Sequence, residues 1–157
     1  MDINQDDFNK AIDSLCVQIR QSQIKFDFIV GISRGGLIPS VLLSHRLQIP
    51  LRTVEWSTRD SGLRNCSPDI AYQARYCSPS YDRKNILVVD DIVDSGITIK
   101  ELLGSWQMKD SSNVKVACIV FNKEQRLITP DFYYEVIDRS EDKQWVNFWW
   151  EQNESTS

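Results

Sequence analysis

The chain has 157 residues, 41% of them hydrophobic and 25% charged, which suits one domain with its own core. A net charge of -4 and a pI near 5.0 argue against a nucleic-acid-binding surface, and no apolar run approaches the ~18 residues of a membrane span. Cys16, Cys66, Cys77 and Cys118 show no CxxC spacing, and His45 is the single histidine, so a zinc site is not expected and reduced cytoplasmic thiols are.

The opening residues MDINQDDFNK are acidic and polar, unlike a signal peptide. Phe8, Ile12, Leu15 and Ile19 then recur at helical spacing, and Asn4 can cap that helix. Phe26 to Val30 is a short apolar run, read as the first buried strand. It leads into Gly31-Ile32-Ser33-Arg34-Gly35-Gly36. Leu37 to Leu47 predicts a helix with Pro39 in its first turn. Leu51 to Trp56 is a second strand. Ser57 to Lys84 is polar and irregular, with Gly62, Pro68 and Pro79; a connection of this length in a compact domain is functional or mobile. Ile86 to Val89 is a third strand, Thr98 to Met108 a helix, Val114 to Phe121 a fourth strand and Phe132 to Ile137 a fifth. Trp145 to Glu151 is dense in aromatics, and Asn153 to Ser157 is a frayed end. The alternation predicts an α/β fold: a mainly parallel five-stranded sheet flanked by helices, in a single domain over 1–157.

The chemistry concentrates in Asn85 to Lys100, NILVVDDIVDSGITIK. A short β-branched run suits a strand buried on both faces. Asp90 and Asp91 follow it, and adjacent carboxylates at the end of a buried strand repel and lose hydration. Donors or a cation must offset that cost. A ribose diol presents two hydroxyl donors side by side, and Mg²⁺ presents charge. The turn from Asp94 to Thr98 has the opposite character. Its successive amides can form a concave nest, Gly96 permits positive φ, and Ser95 and Thr98 add hydroxyls. Acids for sugar hydroxyls beside amides for a phosphate describe a ribose 5-phosphate site. A plainer reading treats Asp94 or Ser95 as a helix cap, with Thr98 and Glu101 as a capping box.

These residues carry a resemblance. VVDDIVDSGIT resembles the phosphoribosyl-diphosphate signature of the type I phosphoribosyltransferases, and SRGGLIPS resembles the bacterial xanthine-guanine members. The resemblance implies the fold of that family, with a mobile active-site loop in 57–84 and a small C-terminal hood over the base in 138–152. It assigns the ribose to Asp90 and Asp91, and the 5-phosphate to Asp94, Ser95, Gly96, Ile97 and Thr98. Asp94 becomes the general base. Diphosphate falls to Ser33, Arg34, Gly35, Gly36 and an arginine of the 57–84 region, Arg64 ahead of Arg59 or Arg75, with a non-proline cis peptide expected at Ser33-Arg34. The purine falls to Lys123, Trp145 and Val146, where Lys123 would donate to the purine O6. Mg²⁺ is the implied cofactor, with Asp91 as its contact and Glu151 standing where relatives place an aspartate.

The expected activity is therefore salvage: transfer of 5-phosphoribosyl from phosphoribosyl diphosphate to guanine, xanthine or hypoxanthine in a cytoplasmic homodimer or homotetramer. Two rivals stand beside it. One is a non-catalytic regulator that senses a nucleotide on the same fold. The other is a transferase for another base, orotate or adenine.

Overall fold

A computed structural model of the chain describes residues 1–56, 84–106, 113–124, 127–141, 143 and 145–151. Along the chain run β1 (Asp2–Ile3), α1 (Gln5–Gln21), β2 (Phe28–Ser33), α2 (Leu37–Leu47), β3 (Leu51–Glu55) and β4 (Ile86–Val93). They are followed by α3 (Ile97–Ser105), β5 (Val114–Asn122), β6 (Phe132–Ile137), β7 (Asn147–Phe148) and a 3₁₀ turn over Trp149–Glu151. Five strands form one sheet in the order β3-β2-β4-β5-β6, every pair of them parallel. The expected α/β architecture is the observed one.

Strand alternation sorts the core into two layers. Ile29, Leu87, Val89 and Ile119 face α1 and α2. Val30, Val88, Val116 and Cys118 face α3, whose Ile99 and Leu102 close that side. Both faces of a parallel sheet are thus apolar, which explains the unbroken hydrophobic runs in the sequence. Helix α1 begins as predicted: Asn4 Oδ1 accepts from the Asp7 N–H at 2.9 Å.

Several boundaries differ from the sequence expectation. β2 starts at Phe28, although Phe26 is buried, and continues through Gly31, Ile32 and Ser33. β4 does not stop at Val89 but runs to Val93, because β5 continues to pair with it at Asp90, Ile92 and Val93. The two acids therefore lie within the strand, not beyond it. Helix α3 opens one residue early, at Ile97, and closes at Ser105, where Trp106 turns into the core as its C-cap; Met108 lies outside the described residues. His45 is exposed on α2.

The small second sheet was not anticipated. β1 pairs in parallel with β7, matching Asp2 to Asn147 and Ile3 to Phe148. Phe148 is buried in the α1–α2 core and stacks on Trp150, with ring centroids 4.6 Å apart. The aromatic tail is thereby fastened to the amino-terminal residues.

The strand order reverses between β2 and β4, since β2 leads outward to β3 and the chain then returns to β4. Such a reversal opens a crevice at the carboxyl ends of the two strands, where open α/β sheets bind ligands. Leu87, the second residue of β4, is wholly buried. Its replacement by alanine should cost about 3 kcal/mol, as for other buried leucines, read as a lowered midpoint of urea unfolding with an unchanged slope.

Candidate active site

The crevice forms where β4 loses one neighbour. β2 pairs with β4 only as far as Gly31 opposite Val89. Beyond that point the acids themselves take up backbone amides. Asp90 Oδ1 accepts from the Asp91 N–H at 3.0 Å, and Asp91 Oδ1 accepts from the Ile92 N–H at 2.8 Å. Alternation also slips here. Ile92 packs with the α1–α2 core and Val93 with the α3 core, the reverse of the order that Leu87 and Val88 set. A carboxylate has about four acceptor positions, of which a backbone amide takes one on each acid.

The glycine turn lies directly on these acids. A Cβ at Gly35 would fall 2.0 Å from Asp91 Oδ2. One at Gly36 would fall 2.6 Å from the Val89 carbonyl and 2.7 Å from that of Ile32. No side chain fits at either place, which accounts for the two consecutive glycines. Asp91 is only 8% exposed as a result. The Ser33-Arg34 peptide is cis, as the resemblance implied, and Arg34 projects outward. Ser40, a buried residue that the sequence reading passed over, locks the turn: its Oγ donates to the Gly36 carbonyl, and a Cβ at Gly31 would strike it.

The second turn, Asp94-Ser95-Gly96, joins β4 to α3. Gly96 is the N-cap of α3 at φ +76° and brings no side chain to the first amides of the helix. The capping box from Thr98 to Glu101 is therefore absent, because the helix has already begun at Ile97. Ser95 Oγ accepts from the Ile97 N–H at 3.3 Å. A glycine-led helix start with hydroxyls beside it suits an anionic group.

Asp94 has partners that the sequence did not announce. Asn122 donates from Nδ2 to Asp94 Oδ1 at 2.9 Å, and Arg139 Nε lies 3.1 Å from the same oxygen. Asn122 is 1% exposed, at the end of β5. Among the described residues the Arg139 Nε–H has no aligned hydrogen-bond acceptor, so its contact with Asp94 is ionic rather than directed. The Arg139 guanidinium also stands over the Trp145 ring, 5.4 Å from its centroid. Nothing in a single sequence distinguishes these two polar residues from surface residues; only their distant contacts do.

Lys123 follows β5 as expected and is 56% exposed, its Nζ 3.2 Å from Asp138 Oδ2. The Ser140 hydroxyl bound to Asp138 holds that carboxyl below the usual range, and Lys123 adds to the effect. Trp145 is 52% exposed, whereas Val146 is buried in the core beneath it. The contacts thus link Gly35, Asp91 and Asp90 in one group, and Asp94, Asn122, Arg139 and Trp145 in another, with both acid groups on β4 and its following turn. Two expected residues stand apart. Glu151 turns back on its own segment, where Oε2 accepts from the Phe148 N–H at 3.2 Å. Arg64 lies outside the described residues, as does the rest of 57–83. Among the described residues no three histidine, cysteine or acidic side chains gather as a metal cluster. Cys118, opposite Asp90 in the ladder, is fully buried, and that burial pushes its thiol far up.

The family described as phosphoribosyl transferase domain matches residues 3–153. A xanthine-guanine phosphoribosyltransferase of Cereibacter sphaeroides is 38% identical over 73 residues, which are 46% of this chain and 42% of that protein. An orotate phosphoribosyltransferase of Brucella ovis is 30% identical over 116 residues, 73% of this chain and 54% of that protein. The chain thus spans about half the length of the curated relatives it matches. In fold it is similar to a purine phosphoribosyltransferase of Pyrococcus horikoshii, with a TM-score of 0.71 at 24% identity over 98% of this chain and 95% of that one. No helix among the described residues is long and apolar enough to cross a membrane.

Two glycines make opposite predictions. Gly36→Ala drives a methyl into backbone and should destabilise by about 2 kcal/mol or more. Gly104→Ala, on α3 with open space around its Cβ, should stabilise by about 0.5–1 kcal/mol. Thermal unfolding of the two variants against the parent chain checks both signs.

Proposed function

The chain belongs to the phosphoribosyl transferase domain family, and from that premise we propose that it transfers 5-phosphoribosyl from phosphoribosyl diphosphate to a 6-oxopurine: guanine, xanthine or hypoxanthine. The single observation that carries this reading is the seating of the glycine turn on Asp91, next to the glycine-led start of α3. One substrate with a diphosphate, a vicinal diol and a 5-phosphate matches all three surfaces. The diphosphate lies along Ser33 to Gly36, the diol on Asp90 and Asp91, and the 5-phosphate on Ser95 to Thr98.

In the reaction the bond from the anomeric carbon to the diphosphate oxygen breaks, and a bond from that carbon to a purine nitrogen forms. The diphosphate leaves with the bonding pair, and the purine nitrogen loses its proton. Asp94 accepts that proton, at the turn between the phosphate site and Trp145. The amides of 33–36 and the charge of Arg34 meet the negative charge that grows on the leaving group. Asp90 and Asp91 hold the sugar still for in-line attack, which converts a two-body encounter into a positioned one. Lys123 donates to the carbonyl at C6, a contact that an amino group at C6 could not accept. Trp145 lies along the base.

Asp90 and Asp91 also fit Mg²⁺, which is held by one or two carboxylates together with substrate phosphates rather than by an all-protein cage. Asp91, nearest the glycine turn, is the contact we assign. Bound there, the ion would neutralise charge on the departing diphosphate. Glu151 already has its own backbone partner and is a weaker second ligand. A second reading, with orotate as acceptor, draws support from the orotate phosphoribosyltransferase of Brucella ovis, whose match covers more of this chain than that of the xanthine-guanine enzyme.

Incubation with Mg²⁺, phosphoribosyl diphosphate and each base in turn, followed by diphosphate assay, decides between them. Release with a 6-oxopurine but not with orotate or adenine is expected. Release with orotate alone would establish the second reading. Nucleotide binding without release from any base would point to a sensor. Asp94→Asn should lower kcat by about 10²-fold or more, the usual contribution of a general base, while phosphoribosyl-diphosphate affinity is retained. Full turnover in that variant would remove Asp94 from the role.

A further inference from the structure

We propose that Arg139 is a positioning residue that holds Asp94 and Trp145 in fixed relation, so that the turn after β4 and the aromatic tail orient the acceptor base as one unit. The inference rests on the transferase reading above and adds to it a residue that neither the motifs nor the family match singles out.

Three observations carry it. Arg139 makes two different contacts at once, Nε 3.1 Å from Asp94 Oδ1 and Cζ 5.4 Å from the Trp145 ring centroid. A guanidinium spreads its charge over a plane, so it can pair ionically with a carboxylate while lying over an aromatic ring, a combination that a lysine ammonium reproduces only in part. Second, Arg139 is itself held. Its side chain is 19% exposed, and its backbone N–H donates to Asn122 Oδ1 at 3.4 Å. The same Asn122 amide donates to Asp94 at 2.9 Å, so two groups rooted in β5 and in the turn after β6 converge on one carboxylate oxygen. Third, Trp145 is 52% exposed, so its ring depends on surface contacts, and the guanidinium over it is one of them.

The neighbouring charges do not substitute for it. Asp138 is engaged by Lys123 and Ser140, and this places the O6-directed cation one residue from Arg139. A shift of the 138–140 turn would therefore move three base-directed groups together: Lys123 through Asp138, and Asp94 and Trp145 through Arg139.

Steady-state kinetics of Arg139→Gln and Arg139→Lys test the assignment, each substrate being varied at saturation of the other. Arg139→Gln should raise KM for the base and lower kcat, each about tenfold, because a misplaced acceptor loses near-attack geometry. KM for phosphoribosyl diphosphate should stay within about twofold, since that substrate is bound by the other half of the site. Arg139→Lys should recover part of kcat through its charge while KM for the base stays high. Should Arg139→Gln fail to fold, the raised base KM of Arg139→Lys carries the test. Parental kinetics in both variants, an equal rise in both Michaelis constants, or a lysine variant no better than glutamine overturns the inference. An unsubstituted chain that transfers to no base overturns the proposed function, and this inference with it; an active chain indifferent to Arg139 overturns the inference alone.

Discussion

Everything at the carboxyl end of the sheet depends on how closely Gly35 and Gly36 approach Asp90 and Asp91. The turn between β2 and α2 has no room for a methyl group against Asp91 Oδ2 or the Val89 carbonyl. That approach buries Asp91, and the turn that makes it contains the cis Ser33-Arg34 peptide. The carboxylates are not stranded by burial, because each accepts the amide of the residue that follows it. A buried acid without partners would cost several kcal/mol. Here those two amides offset part of that cost.

The same strand then serves a second group of contacts. Past Val93 the chain turns through Gly96 into α3, and Asp94 meets Asn122 and Arg139. These partners come from β5 and from the segment after β6, far along the sequence. Two layers of interaction thus divide the labour. The glycine turn and the paired acids are built from neighbouring strands at the switch point. The third acid is tied to the tail, which β1 fastens through β7. In the proposed reaction the first group would hold the phosphorylated sugar and the second the base, so each could be altered with limited effect on the other.

Much of this was legible from residue order. The hydrophobic runs located the three central strands of the main sheet because those are buried on both faces, and β-prone runs marked the more exposed edge strands β3 and β6. The order of strand, paired acids, small-residue turn and helix marked the site, and Gly96 does take the positive φ that its type permits. Boundaries were less legible. β4 outran its apolar run by four residues because β5 continues to supply hydrogen bonds, and propensity does not register a neighbour. The capping pattern at Thr98 and Glu101 misled for the complementary reason, that the preceding glycine had already started the helix.

The sequence by itself determined the class of fold, the place of a candidate site about the end of the third strand of the main sheet, and the residue types available there. Those follow from hydrophobic period and from local turn chemistry, which act over a few residues. Only the tertiary structure decided that Asn122 and Arg139 converge on Asp94, that Ser40 locks the glycine turn, that β1 secures the aromatic tail, and that Glu151 turns back on its own segment. Each of these depends on groups brought together by chain packing, or on a side-chain orientation that spacing does not encode. A lone arginine or asparagine has the same composition on a surface as in a crevice; the packed sheet alone supplies the neighbour that gives it a task.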